Sequence, residues 1–332
     1  MFKKSSIGLL FITLFLGVFS VQAEDNSFFA KKDVKNFIQE MSEKHHFDKA
    51  LLSMLFKSFE PNAKILKTIS KPYEALPWYR YQAALITEER IQKGVQFWTE
   101  NEKMLKKAEL KYGVPPEIIV AILGVETFYG KKTGNYPVFE SLSTLAFSYP
   151  PRATFFKSEL EQFLLLAQEE NLNPKTTLGS YAGAIGAPQF MPSSYRRFAV
   201  DFTGKGKRDL INSMEDAIGS IGNYFNQHGW KNGETIALKT SLSETKDASQ
   251  FANPKNPKPH LTLKALQKLG VNIPNVKNDA QYATLIMLDA GNQTKEPWLG
   301  FNNFYVITRY NHSIHYAMAV YQLSQRLRAL KG

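Results

Sequence analysis

The chain has 332 residues, 43% hydrophobic and 21% charged, a globular composition long enough for a sizeable core in one large domain or two. It contains no cysteine, which excludes disulfides and a lipid-modified cysteine within this sequence. The formal charge of +11 comes without any fingerprint of nucleic-acid recognition. Such a balance suits an anionic polymer or surface, or serves solubility alone.

Lys3 and Lys4 precede an apolar run from Ile7 to Val21, followed by Val21-Gln22-Ala23 and the acids Glu24 and Asp25. This pattern predicts a secretory signal peptide over residues 1–23, cleaved after Ala23, and a mature protein soluble in the periplasm. The alternative is a membrane anchor, for which the run is short against the ~20 residues of a span. Loss of the two lysines leaves a mature charge of +9.

Short amphipathic helices are expected at Val34 to Met41 and Lys49 to Phe56, with His45 and His46 as surface side chains. After Pro72, Pro77 and the stretch PWYRY, one long helix runs from about Thr87 to Tyr112. Gly113 ends it and Pro115-Pro116 begin the next. Further helices are predicted at Ala153 to Glu169 and Met214 to His228, separated by the glycine-rich GSYAGAIGAPQFMPSSY, Gly179 to Tyr195. Beyond Trp230 the segments TIALKT, ATLIMLD and FYVITRY read as strands, ANPKNPKPH as a loop and LTLKALQKLG as a helix. The implied organisation is a helical body over residues 24–230, a small α/β domain over 231–306 and a C-terminal helix, 307–332, returning to the body.

The segment VPPEIIVAILGVETFYG, Val114 to Gly130, is apolar around the whole helix until Glu126. Ile118, Ile122, Val125 and Glu126 share one face, so the carboxyl is expected on the buried side, where desolvation raises its pKa. A protonated carboxyl in a cleft can donate to a glycosidic oxygen; the competing reading is a structural ion pair. The glycine-rich stretch lets a ligand approach backbone closely, and Gln189 and the serines offer groups to a polar, uncharged ligand. Trp78, Tyr79, Tyr81, Tyr129, Tyr224 and Tyr310 are either flat platforms for sugar rings or core residues.

The stretches GVETFYG, GSYAGAIGAPQFMPSSY, DAIGSIGNYFNQHGW and RYNHSIHYAMAVYQL, in this order, resemble the lytic murein transglycosylase B family across essentially the whole mature chain. The resemblance implies a mainly α (α+β) fold: a lysozyme-like helical core with an added helical layer and a small α/β domain. It implies peptidoglycan glycan strands as substrate and no required cofactor. Glu126 corresponds to the sole catalytic acid and base, Ser180 to a serine near it, and Gln189 to a glutamine beside the reacting sugar. Tyr224, Tyr310 and Asn311 match residues lining the cleft, Tyr81 a sugar-stacking tyrosine, and Arg152 one of two adjacent arginines, the other place being taken by Pro151. The implied reaction breaks the MurNAc-β-1,4-GlcNAc bond and leaves a 1,6-anhydroMurNAc end. A muramidase hydrolysing that bond and a glycan-binding protein without turnover remain the alternatives. No second acid accompanies Glu126 in its motif, though Glu140, Asp201 or Glu215 could approach in three dimensions.

DFTGKGKRDLINSMED, Asp201 to Asp216, resembles a calcium loop that some family members carry. Asp201, Thr203 and Asp209 are its candidate oxygen ligands, but Lys205 occupies the fifth place. The alternative is a turn in which the Lys205 ammonium sits among these oxygens.

Overall fold

A computed structural model of the chain describes residues 28–70, 76–244, 247–273 and 278–332. The expected signal peptide lies outside the described residues. The described residues fall in two compact units, 28–58 and 59–332.

The first unit holds α1, Lys32–His45, and α2, Lys49–Lys57. Val34, Phe37, Ile38 and Met41 recur at helical spacing on α1 and are buried, as are Leu52 and Phe56 of α2. Phe37 and Phe56 meet edge to face at 6.0 Å. His46 ends α1 in the left-handed conformation, and the Asp48 carboxylate caps α2 by accepting from the backbone N–H of Ala50 and Leu51.

The second unit begins with α3, Ala63–Ile69, and α4, Trp78–Leu85. The single helix expected over 87–112 is two: α5, Glu88–Glu100, and α6, Glu102–Tyr112. Asn101 breaks it, because its side-chain amide donates to the Phe97 carbonyl at 2.9 Å and so competes with the helical ladder. Gly113 closes α6 at φ +73°, and Pro116 opens α7, Pro116–Thr127. Ile118 to Leu123 of α7 are fully buried, and α7 packs against α5 and α6. Next come β1, Tyr136–Pro137, α8, Val138–Ser148, α9, Ala153–Glu169, and β2, Leu178–Gly179, which pairs antiparallel with β1. α10, Pro192–Phe198, and α11, Met214–Gln227, complete the helical core.

The remaining strands are β3, Ala237–Lys239, β4, Ser241–Leu242, β5, Leu261–Thr262, β6, Val271–Asn272, β7, Tyr282–Gly291, and β8, Thr294–Gly300. With α12, Leu263–Lys268, they bury a small core of their own that includes Leu263, Leu266, Val271, Leu285 and Phe301. The main sheet is antiparallel in the order β3-β8-β7-β5, and β4 pairs with β6. Strand β8 escapes a reading of the sequence because Pro297 interrupts it. The Pro297 carbonyl accepts from Thr240 beyond the end of β3, which pairs with Trp298 to Gly300, so the missing N–H is not required by that ladder.

FYVITRY is not a strand. It lies in α13, Asn302–Tyr310, followed by α14, Ile314–Lys331. Its β-branched and aromatic residues suggest extended chain, but Asn303, Phe304, Ile307 and Thr308 bury one helical face, and burial outweighs local propensity. Among the described residues there are fourteen α-helices and only small sheets, the mainly α fold expected from the sequence. Among the same residues no helix is long and apolar enough to cross a membrane.

Candidate active site

Glu126 stands one residue from the end of α7, where the burial of the helix gives out, so it is half-buried rather than enclosed as its apolar neighbours predicted. The chain behind it is forced into a sharp reversal. Phe128, Tyr129 and Gly130 take φ of +51°, +62° and +82°, three left-handed residues in succession. Two of them carry side chains, a conformation that costs each roughly 1 kcal/mol and needs outside support.

That support is visible. Gly94 of α5 and Gly124 of α7 leave room for the Tyr129 ring, whose hydroxyl would lie 2.4 and 2.6 Å from a Cβ at those positions. The Tyr129 hydroxyl donates to the Arg90 carbonyl at 2.8 Å. The Arg90 guanidinium donates to the Gly124 carbonyl at 3.0 Å and to the Leu85 carbonyl at 2.5 Å, tying the C-terminal ends of α7 and α4 together. The Thr127 hydroxyl donates to the Ala187 carbonyl at 2.8 Å, which pins the glycine-rich loop to the same helix end.

The Glu126 carboxylate accepts a hydrogen bond at Oε1 from the Tyr316 hydroxyl at 2.6 Å. Tyr316 was not singled out by sequence reasoning, although it lies inside RYNHSIHYAMAVYQL. The available signal was a tyrosine in the first turn of the predicted helix, directly before the apolar run Ala317 to Val320, since a buried phenol requires a partner. Its ring lies parallel to that of Tyr310 at 6.3 Å, and Tyr310 meets Tyr224 at 4.9 Å. The Tyr310 hydroxyl donates to the Pro188 carbonyl and that of Tyr224 to the Arg309 carbonyl, both at 2.5 Å. Burial pushes all three phenols up, Tyr224 to about 12 and the other two well above their ordinary value, and the neighbouring Glu126 charge adds to the rise for Tyr310 and Tyr316. All three therefore remain neutral donors near neutral pH.

Gln189 follows Pro188 at φ +52°. Its amide nitrogen donates to the carbonyls of Thr133 and Gly186, which presents Oε1 as the acceptor for a ligand. The Ser180 hydroxyl accepts from the backbone N–H of Ala182 and Ala184, leaving its proton as the group to donate. Asn311 lies between Tyr310 and Tyr316, its carbonyl accepting from the Ser313 N–H at 2.7 Å. Arg152 is exposed, stacks on Phe155 at 4.3 Å, and is close enough to His312 to act on it electrostatically.

Tyr81 is placed differently from its expected stacking role. It is 2% exposed, with its ring against Trp78 and His315, so its face is covered by protein. Trp78, Tyr129 and Tyr224 are also buried, whereas Tyr79 is 39% exposed. Most of the aromatic set is core.

The acids that might have joined Glu126 are engaged in contacts of their own. Glu140 accepts from the Asn62 amide at 2.6 Å, and Glu215 from the Ser213 hydroxyl. Asp201 accepts from the backbone N–H of Gly204, Lys205 and Gly206 and from the Thr203 hydroxyl. Against the desolvation that would raise it, these bonds hold the Asp201 carboxyl below its usual range. Asp209 accepts from the N–H of Ile211 and Asn212, and the buried Asp216 from those of Phe202, Thr203 and Asp209. It is thus the Lys205 amide, not its ammonium, that faces Asp201. Among the described residues no group of three or more His, Asp or Glu side chains converges as a metal site would require.

Comparison with known proteins gives the arrangement a context. Residues 30–325 match the family described as the transglycosylase SLT domain. The chain is 41% identical over 303 residues to membrane-bound lytic murein transglycosylase B of Escherichia coli K12, covering 88% of this chain and 82% of that one. Its fold is similar to soluble lytic transglycosylase SltB1 from Pseudomonas aeruginosa, with a TM-score of 0.83 and 44% identity over 90% of this chain and 100% of that one. Escherichia coli Slt35, solved in complex with calcium, gives a TM-score of 0.83 and 40% identity over 92% and 96%. The chain belongs to the transglycosylase SLT domain family, as a lytic transglycosylase of the murein transglycosylase B type with that family's lysozyme-like helical core.

Proposed function

We propose that the protein cleaves the MurNAc-β-1,4-GlcNAc bond of peptidoglycan without water and leaves 1,6-anhydroMurNAc ends. The observation that carries this reading is the Glu126 carboxyl, which accepts at Oε1 from the Tyr316 phenol, while Glu140, Asp201 and Glu215 are held by other partners. Hydrolytic glycosidases ordinarily need two carboxyls, one as acid and one as base or nucleophile. Here Glu126 gives its proton to the glycosidic oxygen as the C1–O bond breaks. The 2-acetamido group of the same sugar stabilises the cationic C1. The ionised Glu126 then takes the proton of the C6 hydroxyl, whose oxygen bonds to C1. Ser180 and Gln189 orient the sugar, Tyr310, Asn311 and Arg152 line its path, and the buried Tyr224 backs Tyr310. Mass spectrometry of muropeptides released from purified sacculi tests the chemistry: anhydro ends are expected as the main product. Reducing ends as the main species would make the enzyme a muramidase.

Replacing Tyr316 by Phe keeps the ring stack on Tyr310 and removes one hydrogen bond to a charged acceptor. Such a bond contributes ~1.5–3 kcal/mol, so turnover of the protein that remains folded is expected to fall about 10- to 100-fold. Unchanged turnover would show that Glu126 is positioned without Tyr316.

The reaction as written uses no metal. Although Slt35 was solved in complex with calcium, Asp201, Asp209 and Asp216 here accept from backbone amides. A chelator is therefore expected to leave the melting temperature unchanged. A substantial rise on adding calcium would contradict this, since an ion bound only by the native state must stabilise it. The leader-like residues 1–23 support export to the periplasm.

A further inference from the structure

No motif of the sequence singles out Arg90, yet it touches the chain on both sides of Glu126. Its own place is fixed locally. Arg90 stands in the first turn of α5, where its N–H donates to the Thr87 hydroxyl that caps the helix, at 3.2 Å. Helix α4 ends at Leu85, so the guanidinium reaches back to the Ala84 and Leu85 carbonyls at 3.1 and 2.5 Å. Its Nε donates the other way, to the Gly124 carbonyl at 3.0 Å. A helix leaves its last carbonyls without helical partners, and their partial negative charge favours a cation there. One guanidinium, with donors in fixed directions, thus closes the ends of α4 and of α7, the helix that carries Glu126.

The contacts continue past the carboxyl. The guanidinium carbon lies 5.4 Å from the centre of the Phe128 ring, and the Arg90 carbonyl accepts from the Tyr129 hydroxyl at 2.8 Å. The Tyr129 ring is stacked on Phe97 of α5 at 5.5 Å and 26°, over the space that Gly94 and Gly124 leave. Residues 124, 128 and 129 are therefore held by Arg90 and its helix, with Glu126 between them. Phe128 and Tyr129 are both left-handed, and a strained turn keeps its shape only while its surroundings over-determine it. The Tyr316 hydroxyl fixes one carboxyl oxygen. The direction in which the carboxyl leaves the helix follows from the backbone at 126, and that backbone is set by the residues on either side.

We propose that Arg90 is a positioning residue for the reaction: through Gly124, Phe128 and Tyr129 it aims the Glu126 carboxyl at the glycosidic oxygen. The inference rests on the reading of Glu126 as the catalytic acid. Loss of the clamp leaves substrate binding as it is and lowers the fraction of bound complexes in which acid and oxygen are aligned. Its signature is a fall in kcat at constant KM. A purely structural residue changes the amount of folded protein instead, and a residue that binds sugar changes KM.

The test is steady-state kinetics of the full chain on soluble glycan strands, with rates referred to folded protein by circular dichroism. Arg90→Lys keeps the charge but puts one nitrogen in place of the fork, so it cannot serve the Gly124 and Leu85 carbonyls in the same way. Tyr129→Phe keeps the ring and removes the bond to the Arg90 carbonyl. Lys107→Met is the control: it also removes a cation that donates to a backbone carbonyl, that of Phe202 at 2.8 Å, outside this clamp. Arg90→Lys is expected to lower kcat roughly 10²-fold and Tyr129→Phe about tenfold, each with KM within about twofold. Lys107→Met is expected to change neither constant. Unchanged kcat in the two clamp variants, a parallel change in KM, or an equal loss in Lys107→Met would overturn the proposal. If Arg90→Lys does not fold, Tyr129→Phe decides by the same criteria. Glu126→Gln, run alongside, separates the two readings. If it still turns over, Glu126 is not the acid; if it is inactive while both clamp variants are unimpaired, the clamp alone falls.

Discussion

Glu126→Gln is expected to leave a folded protein with turnover reduced by at least about 10⁴-fold. General acid–base groups typically contribute ~10²–10⁴-fold, and one residue here serves both the protonation and the deprotonation step. Glutamine retains an Oε1 that accepts from Tyr316, so the contact seen at 2.6 Å survives the change. Half-buried placement at the helix end means that an amide costs little more than the acid it replaces. A structural ion pair at this position would behave in the opposite way. Its loss would leave a charge without its partner and lower stability by roughly 3–5 kcal/mol, with residual activity following the folded fraction. Thermal melts and sacculus digestion on this one variant separate the two, and a destabilised protein that still cleaves glycan would sink the catalytic assignment.

How much of this was readable in the sequence depended on whether the signal was local. The end of α6 at Gly113 and the start of α7 at Pro116 follow from backbone restrictions that a residue carries with it, and both appear where expected. The break at Asn101 is also local, but a polar residue in mid-helix is more often a solvated face than a cap, so two helices read as one. FYVITRY failed for a different reason. Its composition is that of a strand, and only the surrounding body, which buries Phe304 and Ile307 on one side, makes it α13. The site shows the same division. Glu126 stood out because a lone acid follows a wholly apolar helix. Its hydrogen-bond partner arrives from 190 positions away on α14, and no spacing rule reaches that far. Tyr81 illustrates the reverse error, since an aromatic residue beside polar neighbours gives no hint of whether its face meets a sugar or, as here, Trp78 and His315.

Gly186→Ala is expected to cost several kcal/mol of stability and to lower the activity of whatever remains folded. Gly186 lies at φ +73°, and a Cβ built there would sit 2.1 Å from the Leu210 carbonyl oxygen and 2.6 Å from its carbon. The obstruction is backbone, and it is held: the Leu210 carbonyl accepts from the Ala187 N–H at 3.1 Å, while the Leu210 N–H donates to the Tyr195 hydroxyl at 2.9 Å. Relief therefore has to come from the glycine-rich loop itself. The Gly186 carbonyl accepts from both the backbone N–H and the side-chain amide of Gln189, so any displacement is passed to the residue expected beside the reacting sugar. The left-handed conformation alone costs a side-chain-bearing residue about 1–2 kcal/mol, and overpacking adds ~1–3 kcal/mol. Gly204→Ala supplies the comparison. Its φ of +77° is nearly the same, but nothing lies within 4 Å of the added atom, so only the conformational cost should register. Urea unfolding of the two variants isolates the close contact as their difference. Equal losses would mean that the loop yields freely at Leu210. In that case the hold of the loop on Gln189 would have to come from Thr127, whose hydroxyl anchors the Ala187 carbonyl at the base of Glu126.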